Sequence, residues 1–517
     1  MRPAMARPRV VVLGGGVAGM SAALEMSASC DVTLIEAKPE LGGKLGGSES
    51  GGRVHEHGFH FFADYCVNLL DIIAQLSIQD LFVPREAVKF LRRGQFPAMR
   101  ELRNPTSERY FWHNAHNGPV EWPHWVLYAY SVLDLLLSEF HESDFLDLVS
   151  VNSYLASKPY VTVEVALLHQ QSLLKTLSLA SYRTAVSSYQ RWMRYPLAYP
   201  EPMMRVMRRN SLDGFIRPFA AHLETLGVRV LRETKAVRIV VKERGGEVVI
   251  TRPLSGASGD DSVLPYDGLV IAVPMEQLSA LLDDALFAAT SRFHRSGLAD
   301  PPPLGNVREL QSASMASLDI QFKQRIAAMP QEHITFLQSE FDISCIDNSQ
   351  LWNTGDATYI NAVASDVRCL NGLSEDYKVK LLMDEVLGFL GQRAEDVEAM
   401  SYRSNLDAPL FLNETGSWHD RPEVFTAVPS IVVAGDYVRN SFGLASVEGA
   451  IVAARQAALC LSHNLGVGRE PKILYPRDID KDQIRKRKEL LEPVKARALG
   501  TLWANRDRQS KSSALMD

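Results

Sequence analysis

The stretch Arg9–Ala37, RVVVLGGGVAGMSAALEMSASCDVTLIEA, leaves few folds open to this chain. A short apolar run breaks into glycines, a helical pattern of small and apolar residues follows, and a second apolar run closes it. That order predicts a strand–helix–strand unit with both strands buried in a parallel sheet. Gly14, Gly16 and Gly19 have the GxGxxG spacing between the first strand and the helix. Gly14 permits a tight turn, Gly16 lets the backbone approach a pyrophosphate, and Gly19 lets the helix pack on the strand. The helix start at Val17 and Ala18 then aims free amides at the phosphate charge. Glu36, with Ala37 after it, ends the second strand 17 residues beyond Gly19, where a carboxylate accepts hydrogen bonds from ribose hydroxyls. The unit therefore reads as a dinucleotide site rather than a structural glycine turn.

A second glycine arm follows directly, Leu41-Gly42-Gly43-Lys44. It lets the chain wrap a diphosphate, with Lys44 supplying positive charge. A nicotinamide site needs no such arm; an extended flavin adenine dinucleotide (FAD) does. A third element lies far away. Ala434-Gly435-Asp436 ends a strand, and Leu444–Ala450 opens a helix. Asp436 is placed to bind a ribitol hydroxyl, and the helix entry at Ala445 and Val447 to aim amides at the flavin's pyrimidine carbonyl. The helix dipole there favours the negative charge of reduced flavin. Between these motifs, His55, His57 and His60 crowd one short segment. On extended chain His55 and His57 share a face and His60 takes the other, so three ligands to one ion would need a bulge. The expectation is no metal.

The 517 residues carry a net charge of −6, which offers no basic field for nucleic acid. Five scattered cysteines and no CxxC read as free thiols in a reducing, cytoplasmic setting. The N-terminal apolar run is too short for a signal peptide, and no run of 18 apolar residues predicts a membrane span. The nearest, Trp122–Phe140, is interrupted by Asp134; it reads as a buried helix, with a peripheral membrane contact as the alternative. From Ile72 to Asn210 the pattern is mostly helical. A capped helix and strand follow to Leu231, then a hairpin with a Gly-Gly turn over Lys235–Leu254 and a buried strand ending at Pro274. Leu298–Asn306 reads as a loop, 312–322 and 334–347 as strands of a second sheet, and Glu375–Gly391 as an amphipathic helix. After Gly468 the charged sequence reads as a solvated helix and frayed tail. Aromatics and methionines in the middle region, among them Trp192–Tyr199, Met203, Met204 and Met207, fit core or a cavity for an elongated apolar substrate.

These motifs resemble the FAD-dependent amine oxidase and phytoene desaturase superfamily, with the nearest echo in plant and cyanobacterial phytoene and ζ-carotene desaturases. The arm reads GGK, followed by Glu56-His57-Gly58-Phe59-His60-Phe61-Phe62 and Asn68-Leu69; AGDYVRNSFGLASVEGA resembles those enzymes' AGDYT…SMEGA signature. Val447 stands where the family has Met, and the loop before it is longer. The likeness covers Pro8–Asn68, Asn210–Pro274 and Ile431–Ala458. It implies that Val237 backbone meets the adenine end, Val447 the flavin carbonyl, and Gly58, Phe59 and His60 the isoalloxazine ring, with His60 the one candidate catalytic side chain. The implied fold is α/β, a Rossmann-like FAD domain with a mixed-sheet substrate domain that carries a helical insertion. Its expected boundaries are 8–80, 207–275 and 425–466 for FAD, 81–206 and 276–424 for substrate, and 467–517 as a charged extension. The expected reaction is desaturation of an apolar substrate by hydride transfer to flavin N5, with a quinone or O2 as acceptor. Amine oxidation to an imine, and non-redox isomerisation or dehydroxylation, are the alternatives; oligomeric state is left open. Gly16→Val is expected to abolish FAD retention, read as loss of flavin absorbance in the purified protein.

Overall fold

The computed structural model describes residues 6–50, 53–56, 58–138, 145–177, 179–251, 261–291, 304–405, 409–468 and 470–513. Its first layer is a five-stranded parallel sheet in the order Ile431–Val433, Gly268–Ile271, Arg9–Leu13, Asp31–Ile35, Arg229–Leu231. The strands are continuous runs of Val, Ile and Leu because both faces are covered. Helix Val17–Ser27 lies on one face with helix Val447–Leu465, and Met20, Ala22 and Ala23 are fully buried between them. Small side chains let these two helices approach closely. The hairpin Lys235–Val241 and Gly246–Thr251 forms as expected, with Gly245 at φ +70° in its turn; a third strand, Asp261–Tyr266, joins it.

The second layer is a seven-stranded mixed sheet. Its order is Val397–Ser404, Ala316–Phe322, Tyr359–Ala364, Ile343–Asp347, Ile334–Leu337, Ala87–Arg92, Arg100–Arg103. Only the pairing of Ile334–Leu337 with Ala87–Arg92 is parallel. Helix Glu375–Leu390 covers it, with Phe389 stacked on Phe336 at 4.3 Å. This corrects the helical expectation for 72–210: Phe82–Arg85 pairs with Met204–Met207, and Ala87–Arg92 and Arg100–Arg103 belong to the sheet. Helices occupy 111–198 within that span. Leu298–Asn306 falls mostly outside the described residues, and its end lies in a short 3-10 turn, Leu304–Arg308.

The charged C-terminal sequence departs furthest from expectation. Lys481–Ser513 is one helix that packs along Trp122–Leu137. Ile479, Ile484 and Ala498 are buried there, so the helix covers an apolar surface instead of projecting into solvent. The helix Trp122–Leu137 is a core element, with Trp125, Val126, Leu127 and Leu135 at 0–1% exposure. The interrupting Asp134 is the junction. Its carboxylate accepts hydrogen bonds from Lys488 and, at 2.7 Å, Tyr160, and pairs with Lys158 at 3.1 Å. Lys495 Nζ lies 4.2 Å from the Tyr130 ring centroid, a cation–π contact that extends the same clasp. Among the described residues no helix is long and apolar enough to cross a membrane.

Burial pushes the Asp134 carboxyl up, but hydrogen bonds from Lys488, Tyr160 and Lys158 outweigh it and hold the group below the ordinary carboxylate range. A depressed carboxyl stabilises the fold above its unfolded pKa and loses that contribution as pH falls through the folded value. Asp134→Ala is therefore expected to cost about 1–2 kcal/mol at neutral pH, discounted for partial exposure, with the difference from wild type shrinking below about pH 4 in urea unfolding.

Candidate active site

The glycine turn is built on backbone contacts that admit no side chain. Gly14 has φ +99°, and a Cβ there would lie 2.5 Å from the Ala272 carbonyl oxygen. A Cβ on Gly19 would lie 1.8 Å from the Gly14 carbonyl oxygen, so helix and strand meet in the manner the spacing predicts. Gly16 differs: the only heavy atom within 4 Å of its Cβ position is Gly43 Cα, at 3.8 Å. Packing of the protein alone does not demand glycine at 16, whereas a group approaching the turn does. Gly16 also contributes no side-chain cap to helix Val17–Ser27. Val17 and Ala18 are buried in its first turn. Glu36 closes the far side of the turn, its carboxylate accepting hydrogen bonds from Gly15 N (2.7 Å) and Lys38 N (2.8 Å). Ala37 is exposed beside it.

The glycine arm joins the turn directly. Gly42 N donates to Gly15 O at 2.8 Å and Gly42 bridges Gly16, with Gly42 and Gly43 at φ +114° and +54°. Lys44 Nζ reaches Asp436 Oδ2 at 2.8 Å, so the arm and the C-terminal GD turn touch. Gly435 sits at φ +158°, close to extended backbone. The helix entry follows through Ala445, Ser446 and Val447, and Ser446 Oγ accepts from Gly449 N at 3.0 Å. Val237 occupies the irregular position of its strand pair, where the register shifts between Ala236 and Arg238. A bulge leaves a residue off the ladder, which gives its backbone groups freedom to meet a ligand. The motifs near both ends of the chain are thus brought together at the carboxyl ends of the parallel strands. An open glycine cradle, a carboxylate at a strand end and a lysine–aspartate pair fit the diphosphate and polyol of FAD.

Of the three histidines, His57 lies outside the described residues. His55 Nδ1 pairs with Asp319 Oδ2 at 2.9 Å, and Asn361 Nδ2 donates to Asp319 Oδ1 at 2.7 Å. Gly58 packs where a Cβ would press Val363 at 3.1 Å. Phe59 and Phe61 meet edge to face at 5.1 Å, and the Phe61 ring lies 4.6 Å from His333. His60 is partly buried between them in the chain. Trp192 and Tyr195, read as core or cavity lining, stand on helix Val186–Ala198; Tyr195 stacks on Phe442 at 4.6 Å and 6°.

Sequence reasoning missed two groups. Buried Glu448 accepts hydrogen bonds from Asn68 N, Asn68 Nδ2 and Leu69 N at 2.7–2.9 Å, and Arg455 Nη1 donates to Asn68 Oδ1 at 2.9 Å. This network locks the helix entry at Val447 to helix Val67–Gln75. The apolar helical context of Glu448 and Arg455 was the available signal. The second is Glu56, fully buried, accepting a hydrogen bond from Ser211 N. Burial pushes its carboxyl up to about 7, the Ser211 hydrogen bonds oppose this, and nearby Asp319 adds to it. A carboxyl raised in the folded state keeps a proton the unfolded chain has lost, so stability falls as pH rises from the ordinary carboxylate range to about 7. Glu56→Gln is expected to flatten that slope and to raise the melting temperature relative to wild type at pH 8.

Residues 17–461 match the sequence model of the flavin containing amine oxidoreductases. A carotenoid phi-ring synthase of Chlorobaculum tepidum is 28% identical over 276 residues, which is 50% of this chain and only 42% of that protein. A zeta-carotene desaturase of Synechocystis sp. is 20% identical over 494 residues, covering 88% of this chain and 97% of that one. In fold, the chain is similar to cyclohexylamine oxidase from Brevibacterium oxydans (TM-score 0.61, 14% identity, 89% and 100% of the two chains). It is also similar to a putrescine oxidase (TM-score 0.63, 15% identity, 87% and 98%). Sequence, fold and cradle agree: the chain belongs to the flavin containing amine oxidoreductase family and is an FAD-dependent oxidoreductase.

Proposed function

We propose that this enzyme desaturates an elongated, mostly apolar substrate of polyisoprenoid or carotenoid type. The observation that carries the reading is the wall beside Gly58–His60. Phe59, Phe61 and His333 pack ring on ring, and burial keeps His333 neutral by lowering it to about 3. An uncharged aromatic wall suits a polyene and offers a protonated amine no counter-charge. The sequence relatives, whose names concern carotenoids, support the same class. Fold neighbours named for cyclohexylamine and putrescine oxidation favour the second reading, imine formation with O2 as acceptor. Non-redox isomerisation or dehydroxylation is a third.

In this reading the cofactor lies along Gly14, Gly16, Val17, Ala18 and Gly19, past Glu36 and Ala37, and under Gly42, Gly43 and Lys44. Val237 meets its adenine end, and Gly435, Asp436, Ala445 and Val447 its flavin end. Bound flavin supplies a two-electron acceptor for a substrate hydride. The glycine turn and helix start bind diphosphate, Glu36 orients ribose, and Asp436 orients the polyol. Phe59 and Phe61 exclude water from the reacting carbon. His60 is the side chain assigned to orient the substrate or receive the proton released as the double bond forms. The strands of the parallel sheet fall within 8–80, 207–275 and 425–466, and those of the mixed sheet within 81–206 and 276–424, which supports that division into FAD and substrate regions. A quinone acceptor and a cytoplasmic setting complete the proposal.

Anaerobic mixing of the holoenzyme with polyene precursors and, separately, with a panel of amines tests it. Bleaching of the flavin by a polyene with a new double bond in the product is expected. Bleaching by amines alone would replace this reading with the second one.

A further inference from the structure

Between the GD turn and the helix entry, residues 436–443 form an irregular loop, and its carbonyls converge on one side chain. Arg421 is 1% exposed. Its Nε donates to Tyr437 O (2.9 Å), its Nη2 to Asp436 O (3.0 Å) and Val438 O (2.8 Å), and its Nη1 to Gly443 O (3.4 Å). The loop reciprocates: Arg439 N donates to Pro422 O (2.8 Å), and the Arg439 guanidinium to Trp418 O (2.8 Å) and His419 O (3.0 Å). The Trp418 ring centroid lies 5.0 Å from the Arg421 guanidinium, 5.6 Å from that of Arg439 and 4.0 Å from that of Arg191 of helix Val186–Ala198.

We propose that Arg421 is a positioning residue for the flavin: it holds the loop 436–443 in one shape and sets a permanent positive charge behind it. An irregular loop lacks a partner strand for its carbonyls, so buried donors must come from elsewhere. A planar guanidinium presents five donors in a fixed fork and can reach all four carbonyls; an ammonium cannot. Among the described residues its acceptors are backbone carbonyls, with no carboxylate hydrogen-bonded to the charge. Burial lowers the guanidinium to about 9, which leaves it protonated at neutral pH. The surrounding charges are Arg191 and Arg439 of like sign and Asp436 and Asp147 of opposite sign. A displaced loop would shift Asp436 at one end and the Ala445–Val447 entry at the other. A positive charge behind it favours the extra negative charge of reduced flavin. This inference rests on the cofactor placement proposed above.

The test compares wild type, Arg421→Lys, Arg421→Met, Trp418→Phe and Gly16→Val as folded proteins, by FAD titration and by the flavin midpoint potential. Arg421→Lys is expected to raise the FAD dissociation constant about tenfold or more. The potential of the flavin that still binds is expected to change in Arg421→Lys as the loop ends shift, and to move to more negative values in Arg421→Met, where the positive charge is also lost. A role confined to folding would lower the melting temperature and leave both quantities at wild-type values in the folded fraction; that result overturns the proposal. Should Arg421→Lys not accumulate, Trp418→Phe decides, with weaker FAD binding expected and unchanged binding overturning it. Wild-type affinity in Gly16→Val overturns the cofactor placement itself, whereas loss there with wild-type behaviour at position 421 overturns the role of Arg421 alone.

Discussion

The backbone contact between Gly14 and Gly19 is the constraint on which the rest depends. With 1.8 Å between a Cβ at 19 and the Gly14 carbonyl oxygen, any side chain would push the first helix off its strand. Their contact fixes the direction of the helix start and keeps Gly16 open at the carboxyl end of the central strand. Gly42 then hydrogen-bonds onto the same turn, and Lys44 carries the arm across to Asp436. A contact between residues 392 apart in sequence is thus seated on an approach five residues long.

This arrangement explains why the glycine turn, the glycine arm and the strand-end carboxylate are legible in the sequence alone. Glycines forced by close approach, buried strands and a carboxylate at a strand end each have a local physical cause, so they leave a local mark. Gly245 at the hairpin turn belongs to the same class. The parts that escaped are those whose cause is distant. Ala87–Arg92 and Arg100–Arg103 are strands because they add to a sheet whose other members come from 316–404, and Phe82–Arg85 because it pairs with Met204–Met207; nothing in their own periodicity announces those partners. Lys481–Ser513 looked like a solvated tail because its charges dominate; its few buried residues and the Lys488–Asp134 pair gain meaning only against helix Trp122–Leu137.

The same logic separates the site's polar groups. Glu36 was legible from its place after a strand. Glu56, Glu448, Arg421 and Arg455 were not, because a buried charge is defined by what surrounds it, and their surroundings come from segments far away in sequence. Each lies under a backbone segment assigned to the flavin. Glu56 lies two residues before Gly58, Glu448 and Arg455 secure the Val447 entry, and Arg421 supports the GD loop. Charged groups held in this way cost folding energy unless they are hydrogen-bonded or paired, which ties the shape of the flavin end to the polar contacts beneath it.

The central claim is that one FAD molecule spans the N-terminal glycine turn and the C-terminal loop. Amide hydrogen exchange of the protein with and without FAD tests this most directly. Slowed exchange on FAD binding at 14–19, 42–46 and 436–449 together is the predicted result. Protection at the N-terminal segments with none at 436–449, or protection centred elsewhere, would contradict it.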